Sequence, residues 1–145
     1  MTGEFLSIPS RWGEFVRSTM VLTGGETLIL DSYELDGEPE LLLRTTDPEA
    51  GVGLLAQLTV FFDDRAVWQR RATDAVVTEF SERTPTAQEL EDAAQDLVLQ
   101  TVEVHSDLSV VLHLDDSCGL HFLQGHWPAV RFDADAKIVD VTVEA

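Results

Sequence analysis

The fold is decided by residues 99–144, which read LQTVEVHSDLSVVLHLDDSCGLHFLQGHWPAVRFDADAKIVDVTVE. Apolar and polar residues alternate here in four short runs; in the first, Val102 and Val104 flank Glu103. The other three runs are 110–114, 130–132 and 139–143. A period of two is typical of antiparallel strands with one packed face and one solvated face. Turn-forming residues separate the runs, so this third of the chain predicts a β-meander.

The preceding segment, residues 47–98, carries helix signals. Asp47 followed by Pro48 is the pattern of an N-cap and a first helical residue. A second helix is predicted to begin after Asp63 or Asp64 and to end before Pro85. Thr86 and Glu89 have the spacing of a capping box, which predicts a third helix that runs to Val98. Apolar residues fall at helical spacing in all three, at Leu54, Leu55, Leu58, Phe61 and Phe62, at Trp68, Ala72, Ala75, Val76 and Phe80, and at Leu90, Ala93, Ala94, Leu97 and Val98.

The first 46 residues predict a second β-meander. Gly24-Gly25 and Asp36-Gly37 are turn signals between strands predicted at 14–22, 27–33 and 40–45. Strands, then helices, then strands predict one α+β domain over residues 1–145, divided at 46 and 98. Its antiparallel sheet or sheets would carry about three helices on one face.

Charge is the chain's most pronounced bulk property. Asp and Glu number 27 against nine Lys and Arg, which gives a formal net charge of −18. Nucleic acid and anionic membranes are excluded as partners because both require clustered Lys and Arg. A basic protein partner is favoured, since opposite fields accelerate encounter. The alternative is a salt-adapted acidic domain with no charge-directed partner.

The sequence also predicts where the protein works. The single cysteine, Cys118, cannot form an internal disulfide, which favours a reducing compartment. The amino terminus lacks the pattern of a signal peptide, and no apolar run approaches the length of a membrane span. We therefore expect a cytoplasmic protein, and no motif for a cofactor is found.

Cys118, His121 and His126 lie within nine residues and are ligand types that zinc prefers. A structural site needs a fourth ligand, usually from a second pair, and the sequence has none. If Leu120 and Phe122 face inward, His121 faces outward and His126 lies in the next turn. A metal site is therefore the weaker interpretation of these residues.

Catalysis is not predicted. A reactive thiol needs an electropositive setting, whereas Cys118 follows Asp115 and Asp116. No nucleophile elbow of the G-x-S-x-G type occurs. The chain is therefore interpreted as a non-enzyme.

Trp127 is the candidate anchor for a partner. It precedes Pro128 in a predicted turn, and an exposed tryptophan among acids suits a basic surface. Burial of Trp127 under the sheet edge is the open alternative. The candidate binding residues are Trp127, His126, His121, Asp115 and Asp116.

Residues 86–145 resemble the carboxyl-terminal part of a group of small acidic bacterial proteins of uncharacterised function. The matching features are the third helix, Val102 with Val104, Asp115-Asp116, Leu120 with Phe122, Gly125-His126, and Ile138-Val139-Asp140. Some similar families are immunity proteins that neutralise toxins. The resemblance implies a non-catalytic domain that binds another protein.

Two functional hypotheses follow from the sequence. The first is an interaction protein, of immunity type, that binds a basic partner. The second is a small metal-binding or hydrolytic module centred on Cys118, His121 and His126. The oligomeric state is open.

Overall fold

A computed structural model describes residues 7–119 and 121–145. Four strands come first: β1 (Ile8–Ser10), β2 (Gly13–Val21), β3 (Thr27–Leu35) and β4 (Glu40–Arg44). Three helices follow: α1 (Pro48–Asp63), α2 (Arg65–Phe80) and α3 (Ala87–Asp96). Four strands complete the chain: β5 (Leu97–His105), β6 (Val110–Asp116), β7 (Trp127–Phe132) and β8 (Ile138–Glu144). The predicted α+β class is confirmed.

The two predicted meanders form one eight-stranded sheet rather than two separate layers. The strands lie in chain order from β1 to β8, and neighbours are antiparallel except for β4 and β5. These two run parallel, from Glu40 opposite Thr101 to Arg44 opposite His105. A parallel pair requires a crossover connection, and all three helices lie within it. The helices therefore pack together on one side of the sheet.

The predicted helix starts are borne out where side chains cap the backbone. The Glu49 amide donates to Asp47 Oδ1 at 3.0 Å. The Thr86 hydroxyl accepts from the Glu89 amide at 3.1 Å, and the Glu89 carboxylate accepts from the Thr86 amide at 3.0 Å. Both bonds of the capping box are present. Asp64 is the N-cap residue of α2, without a capping bond from its side chain.

The third helix is shorter than predicted. It ends at Asp96, and Leu97 and Val98 pair with Asp116 and Asp115 as the first residues of β5. The apolar spacing of residues 90–98 fits a helix. The backbone of Leu97 and Val98 instead pairs with β6 as part of the sheet. The strand prediction that began at Leu99 therefore starts two residues too late.

Gly51, which looks unfavourable inside α1, has a packing reason. A Cβ at this position would overlap Ile8 Cδ1, so glycine lets the helix approach β1 closely. This close approach is the reason for a glycine here, where glycine ordinarily costs a helix about 1 kcal/mol.

The core lies between the helices and one face of the sheet. Strand residues Val102, Leu112 and Val130 are fully buried there, against helix residues that include Leu58 and Phe61. The other face of β4–β8 is left uncovered by the rest of the described chain. Among the helices the structure describes, none has the length and apolarity to cross a membrane.

Candidate functional site: the open face of the sheet

The uncovered side of β4–β8 is termed the open face. Its side chains alternate with those of the core, and they line two adjoining depressions with volumes of about 280 and 420 Å³. Arg44, Glu103 and His113 line both depressions. The open face consists of Glu40, Leu42, Arg44, Thr101, Glu103, His105, Val111, His113, Asp115, Trp127, Ala129, Arg131, Asp140, Thr142 and Glu144.

Glu103 is the centre of a polar network on this face. Although it lies on the side away from the core, it is only 8% exposed. The Arg44 Nε donates to Glu103 Oε2 at 2.9 Å, and His113 Nε2 is hydrogen-bonded to Glu103 Oε1. The Trp127 indole nitrogen donates to His113 Nδ1 at 3.0 Å. An indole N–H can only donate, so Nδ1 is the acceptor and His113 carries its proton on Nε2, facing Glu103.

This network keeps Glu103 ionised. Burial alone would raise the pKa of its carboxyl group, but contacts from His105 and His113 and the positive charge of Arg44 outweigh burial. The pKa is held far below its ordinary value. The His105 Nε2 atom lies 3.5 Å from Glu103 Oε2 and makes no hydrogen bond within the described chain. Glu103 is therefore a buried anion between two imidazoles and a guanidinium group.

The second arginine of the open face is also engaged. Arg131 Nη1 donates to the Ser109 hydroxyl oxygen at 2.8 Å, and that hydroxyl donates to Asp107 Oδ1 at 2.6 Å. Arg44 and Arg131 are thus each held by acceptors within the protein. Neither is paired with the carboxylates at the edges of the face.

Four carboxylates form the rim of the open face: Glu40, Asp115, Asp140 and Glu144. None of them makes an ion pair within residues 7–119 and 121–145. Burial, followed by repulsion from Glu34 and Asp36, raises the pKa of Glu40. The rim therefore concentrates negative charge that the protein itself does not neutralise.

Three of the five predicted binding residues lie at this face. Asp115 belongs to the rim, and Trp127 is half-buried with its indole nitrogen bonded to His113. His126 is exposed beside the larger depression, where its Nδ1 lies 3.3 Å from the Gln124 carbonyl oxygen. Trp127 is therefore neither fully exposed nor fully buried under the sheet edge, because its side chain is partly covered and partly accessible.

His121 and Asp116 lie elsewhere: Asp116 is the last residue of β6, and His121 lies in the loop between β6 and β7. Asp116 Oδ2 accepts from the amides of His121 at 2.8 Å and Phe122 at 2.9 Å. Burial would raise the pKa of Asp116, and these backbone bonds lower it on balance. Phe122 packs edge-on against Phe80, with ring centroids 5.8 Å apart. The predicted inward position of Leu120 falls outside the described residues.

The loop also brings together possible metal ligands, in a different set from the predicted one. Ligand atoms of Asp96, Cys118 and His121 all lie within 4.8 Å of one another. His126 is not part of this group. Asp96 at the end of α3 supplies the third side chain, because Ser117 binds the Asp96 carbonyl oxygen through both its amide and its hydroxyl. Carboxylate, thiolate and imidazole are zinc-type ligands.

The residues that sequence reasoning missed are Glu103, His105, Arg44 and Arg131. In the sequence, Glu103 lies between Val102 and Val104 and has the pattern of an ordinary solvated strand residue. Its ion pair with Arg44 depends on the parallel pairing of β4 and β5, which no local pattern encodes. One sequence signal could have indicated this network: Glu103 and His113 occupy outward positions of two consecutive predicted strands.

No family model, curated protein or solved structure matches this chain.

Proposed function

We propose that this protein is a non-catalytic binding protein whose open face recognises a basic segment of a protein partner. One observation carries the proposal: both arginines of the face are held by internal acceptors, whereas the four rim carboxylates have no ion pair within the described chain. The face therefore presents unneutralised negative charge around a depression. A Lys or Arg side chain is the complementary group.

The state of His113 supports a binding role over a catalytic one. Both ring nitrogens are already hydrogen-bonded, one to Glu103 and the other to the Trp127 indole. Proton transfer to a substrate would require one of these bonds to break. The network instead acts as a rigid support that holds Trp127 and the floor of the depression in place.

Trp127 supports recognition by contact as well as by charge. Its ring is half-buried and fixed in orientation by the bond to His113. A pre-oriented tryptophan beside the rim acids, with Glu144 directly opposite it on β8, is suited to anchor a partner. The rim acids would steer a basic partner, and Trp127 would provide apolar contact after encounter. The resemblance to families that include immunity proteins points to the same class of function.

The test is capture of partners from the host's own lysate with two matched variants. In the rim variant, Asp115→Asn, Asp140→Asn and Glu144→Gln remove three charges from the open face. We expect the wild type to retain a basic protein that elutes as salt is raised, and the rim variant to lose it.

The control variant removes the same number of charges elsewhere, through Asp135→Asn, Glu79→Gln and Glu82→Gln. These three residues are exposed and lie outside the open face. The control should retain the same protein as the wild type. Equal loss from both variants would show that bulk charge drives binding, and retention by both would contradict a role for the open face.

A second candidate function is metal binding by the β6–β7 loop, favoured by the convergence of Asp96, Cys118 and His121. A metal ion would replace the proton between His121 Nε2 and Asp96 Oδ2, now 3.0 Å apart. Zinc titration followed by elemental analysis tests it. One bound zinc, lost in Cys118→Ser and kept in His126→Ala, supports this site, whereas no retained zinc contradicts it.

A further inference from the structure

The β2–β3 hairpin extends as an arm, residues 16–30, beyond the part of the sheet covered by helices. Every residue from Thr19 to Ile29 is exposed, although both strands are paired with each other. The arm is also rich in large apolar side chains, which are 39–71% exposed. They are Val16, Met20, Val21, Leu22, Leu28 and Ile29. The register of the hairpin places them on both of its faces, with Met20 opposite Leu28 on one face and Val21 and Ile29 on the other. Exposed apolar surface concentrated in one segment marks an interaction site in a soluble chain.

The outer edge of β2 is available for pairing. β1 pairs with β2 only from Gly13 to Phe15, and no other strand of the described chain adjoins that edge. Natural edge strands are commonly guarded by lysine, proline or a β-bulge. Residues 16–21 contain no lysine or proline, and the register shift of β2 lies between Arg17 and Thr19, so Thr19 to Val21 pair regularly with β3. The one base of this segment, Arg17, donates its Nε to the Leu30 carbonyl oxygen across the hairpin.

The charge of the arm indicates what can approach it. The whole chain carries −18, yet residues 16–30 hold one acid, Glu26, and one base, Arg17. The arm is thus formally neutral. A basic partner would gain no attraction here, while a second copy can approach with less repulsion than at any acidic surface of the chain.

We propose that two copies of this chain associate through the arm, with β2 of one copy pairing antiparallel to β2 of the other. Antiparallel pairing of identical edges is self-complementary and is generated by a two-fold axis. The exposed Val16, Met20 and Val21 of β2 would pack against the second copy. This interface uses β2, so it is separate from the open face on β4–β8 and independent of the proposed function.

The test is sedimentation equilibrium of the full chain from about 10 μM to about 500 μM, a range that spans weak dimers. We expect a monomer–dimer equilibrium. Raising NaCl from about 0.05 M to about 0.5 M should tighten the dimer, because salt screens the repulsion between two acidic chains. Basic-partner binding at the open face should respond to salt in the opposite direction.

Matched variants locate the interface. Val16→Lys with Val21→Lys should weaken the dimer at least about tenfold, since two ammonium groups would lose water at the interface. Val52→Lys with Val67→Lys adds the same charge at valines on α1 and α2 that are each 57% exposed. This control should leave the dimer unchanged. Added positive charge favours association of an acidic chain in general, so a loss confined to the arm variant is specific.

Hydrogen exchange at the amides of residues 16–21 provides a readout of the strand pairing itself. The amides that point away from β3 should become more protected as protein concentration rises if a second copy pairs with β2. Protection of these outward amides that is independent of concentration would mean that the chain covers its own edge, and it would overturn the proposal. A monomer at every concentration, or a dimer indifferent to the arm variant, would overturn it as well.

Discussion

The two faces of strands β5–β7 are made by alternate residues of the same segments, yet they are held by different physics. On the helix-covered face, Val102, Leu112 and Val130 are all fully buried among apolar side chains. On the open face, Glu103 and His113 are held by directional hydrogen bonds and charge. Burial of apolar area stabilises the first face and tolerates small adjustments. The open face depends on specific hydrogen-bond and ion-pair partners, because a buried charge left without its partner destabilises the fold.

The largest effect is expected on the covered face. Leu112→Ala should lower the free energy of unfolding by about 3 kcal/mol, because it leaves a cavity in a fully packed core. Urea denaturation measures the change. Val139→Ala, at a residue that is 56% exposed, should stay within about 0.5 kcal/mol. A loss below about 1 kcal/mol for Leu112→Ala would show that the covered face is loosely packed.

Glu103→Gln should produce the largest effect on the open face, a loss of about 2 kcal/mol at neutral pH. The amide preserves the shape but removes the charge that Arg44 and His113 contact. Chemical denaturation of the two proteins at matched pH measures the difference. An unchanged stability would mean that the Glu103 network contributes no net free energy.

The pH dependence of that difference has a definite sign. The folded-state pKa of Glu103 is far below its unfolded value of about 4.3. Its charge therefore stabilises the fold fully above that unfolded value, and the contribution declines as pH falls below it. The difference in free energy of unfolding between the wild type and Glu103→Gln should decrease progressively below about pH 4. A difference in free energy of unfolding that stays constant from neutral pH to about pH 3 would contradict the lowered pKa of Glu103.

Trp127→Phe tests the directional character of the open face. It removes the indole donor to His113 Nδ1 and should cost about 1 kcal/mol. Nitrogen-15 chemical shifts of the His113 ring should report a neutral ring protonated at Nε2 in the wild type. A wild-type ring protonated at Nδ1 would be incompatible with the bond from Trp127.

Glu40→Gln should have the smallest effect and the opposite sign. Burial and repulsion from Glu34 and Asp36 raise the pKa of Glu40, so its charged form destabilises the folded state. Removing the charge should stabilise the protein by about 0.3 kcal/mol at pH 7, a small gain because solvent screens the rim. The gain should vanish in acid, where the wild-type carboxyl is protonated. Thermal unfolding at both pH values measures it, and destabilisation at pH 7 would refute the account of the rim.

The sequence predicts the covered face far better than the open one. The alternation at Val102 and Val104 and the capping box at Thr86 are local signals. They determine local geometry, namely a strand and the start of a helix. The predicted end of α3 is wrong because Leu97 and Val98 satisfy both a helical and a strand period. Only pairing with β6 decides between the two.

The polar network escapes prediction for a related reason. Glu103 is buried because Arg44 and His113 lie on neighbouring strands, and strand order is a property of the whole sheet. The candidate metal set shows the same limit. His121 and Cys118 were identified from their spacing, whereas Asp96 joins them only through the contact of the loop with the end of α3.

The most direct test of the central claim is an NMR titration of the isotope-labelled protein with a lysine-rich peptide. We expect the Trp127 indole and His113 ring signals to shift together, and signals around Glu79 and Glu82, on the helix side of the molecule, to stay unchanged. The rim variant should abolish these shifts while the matched control variant keeps them. Shifts spread over all exposed acids, or none at Trp127, would contradict recognition by the open face.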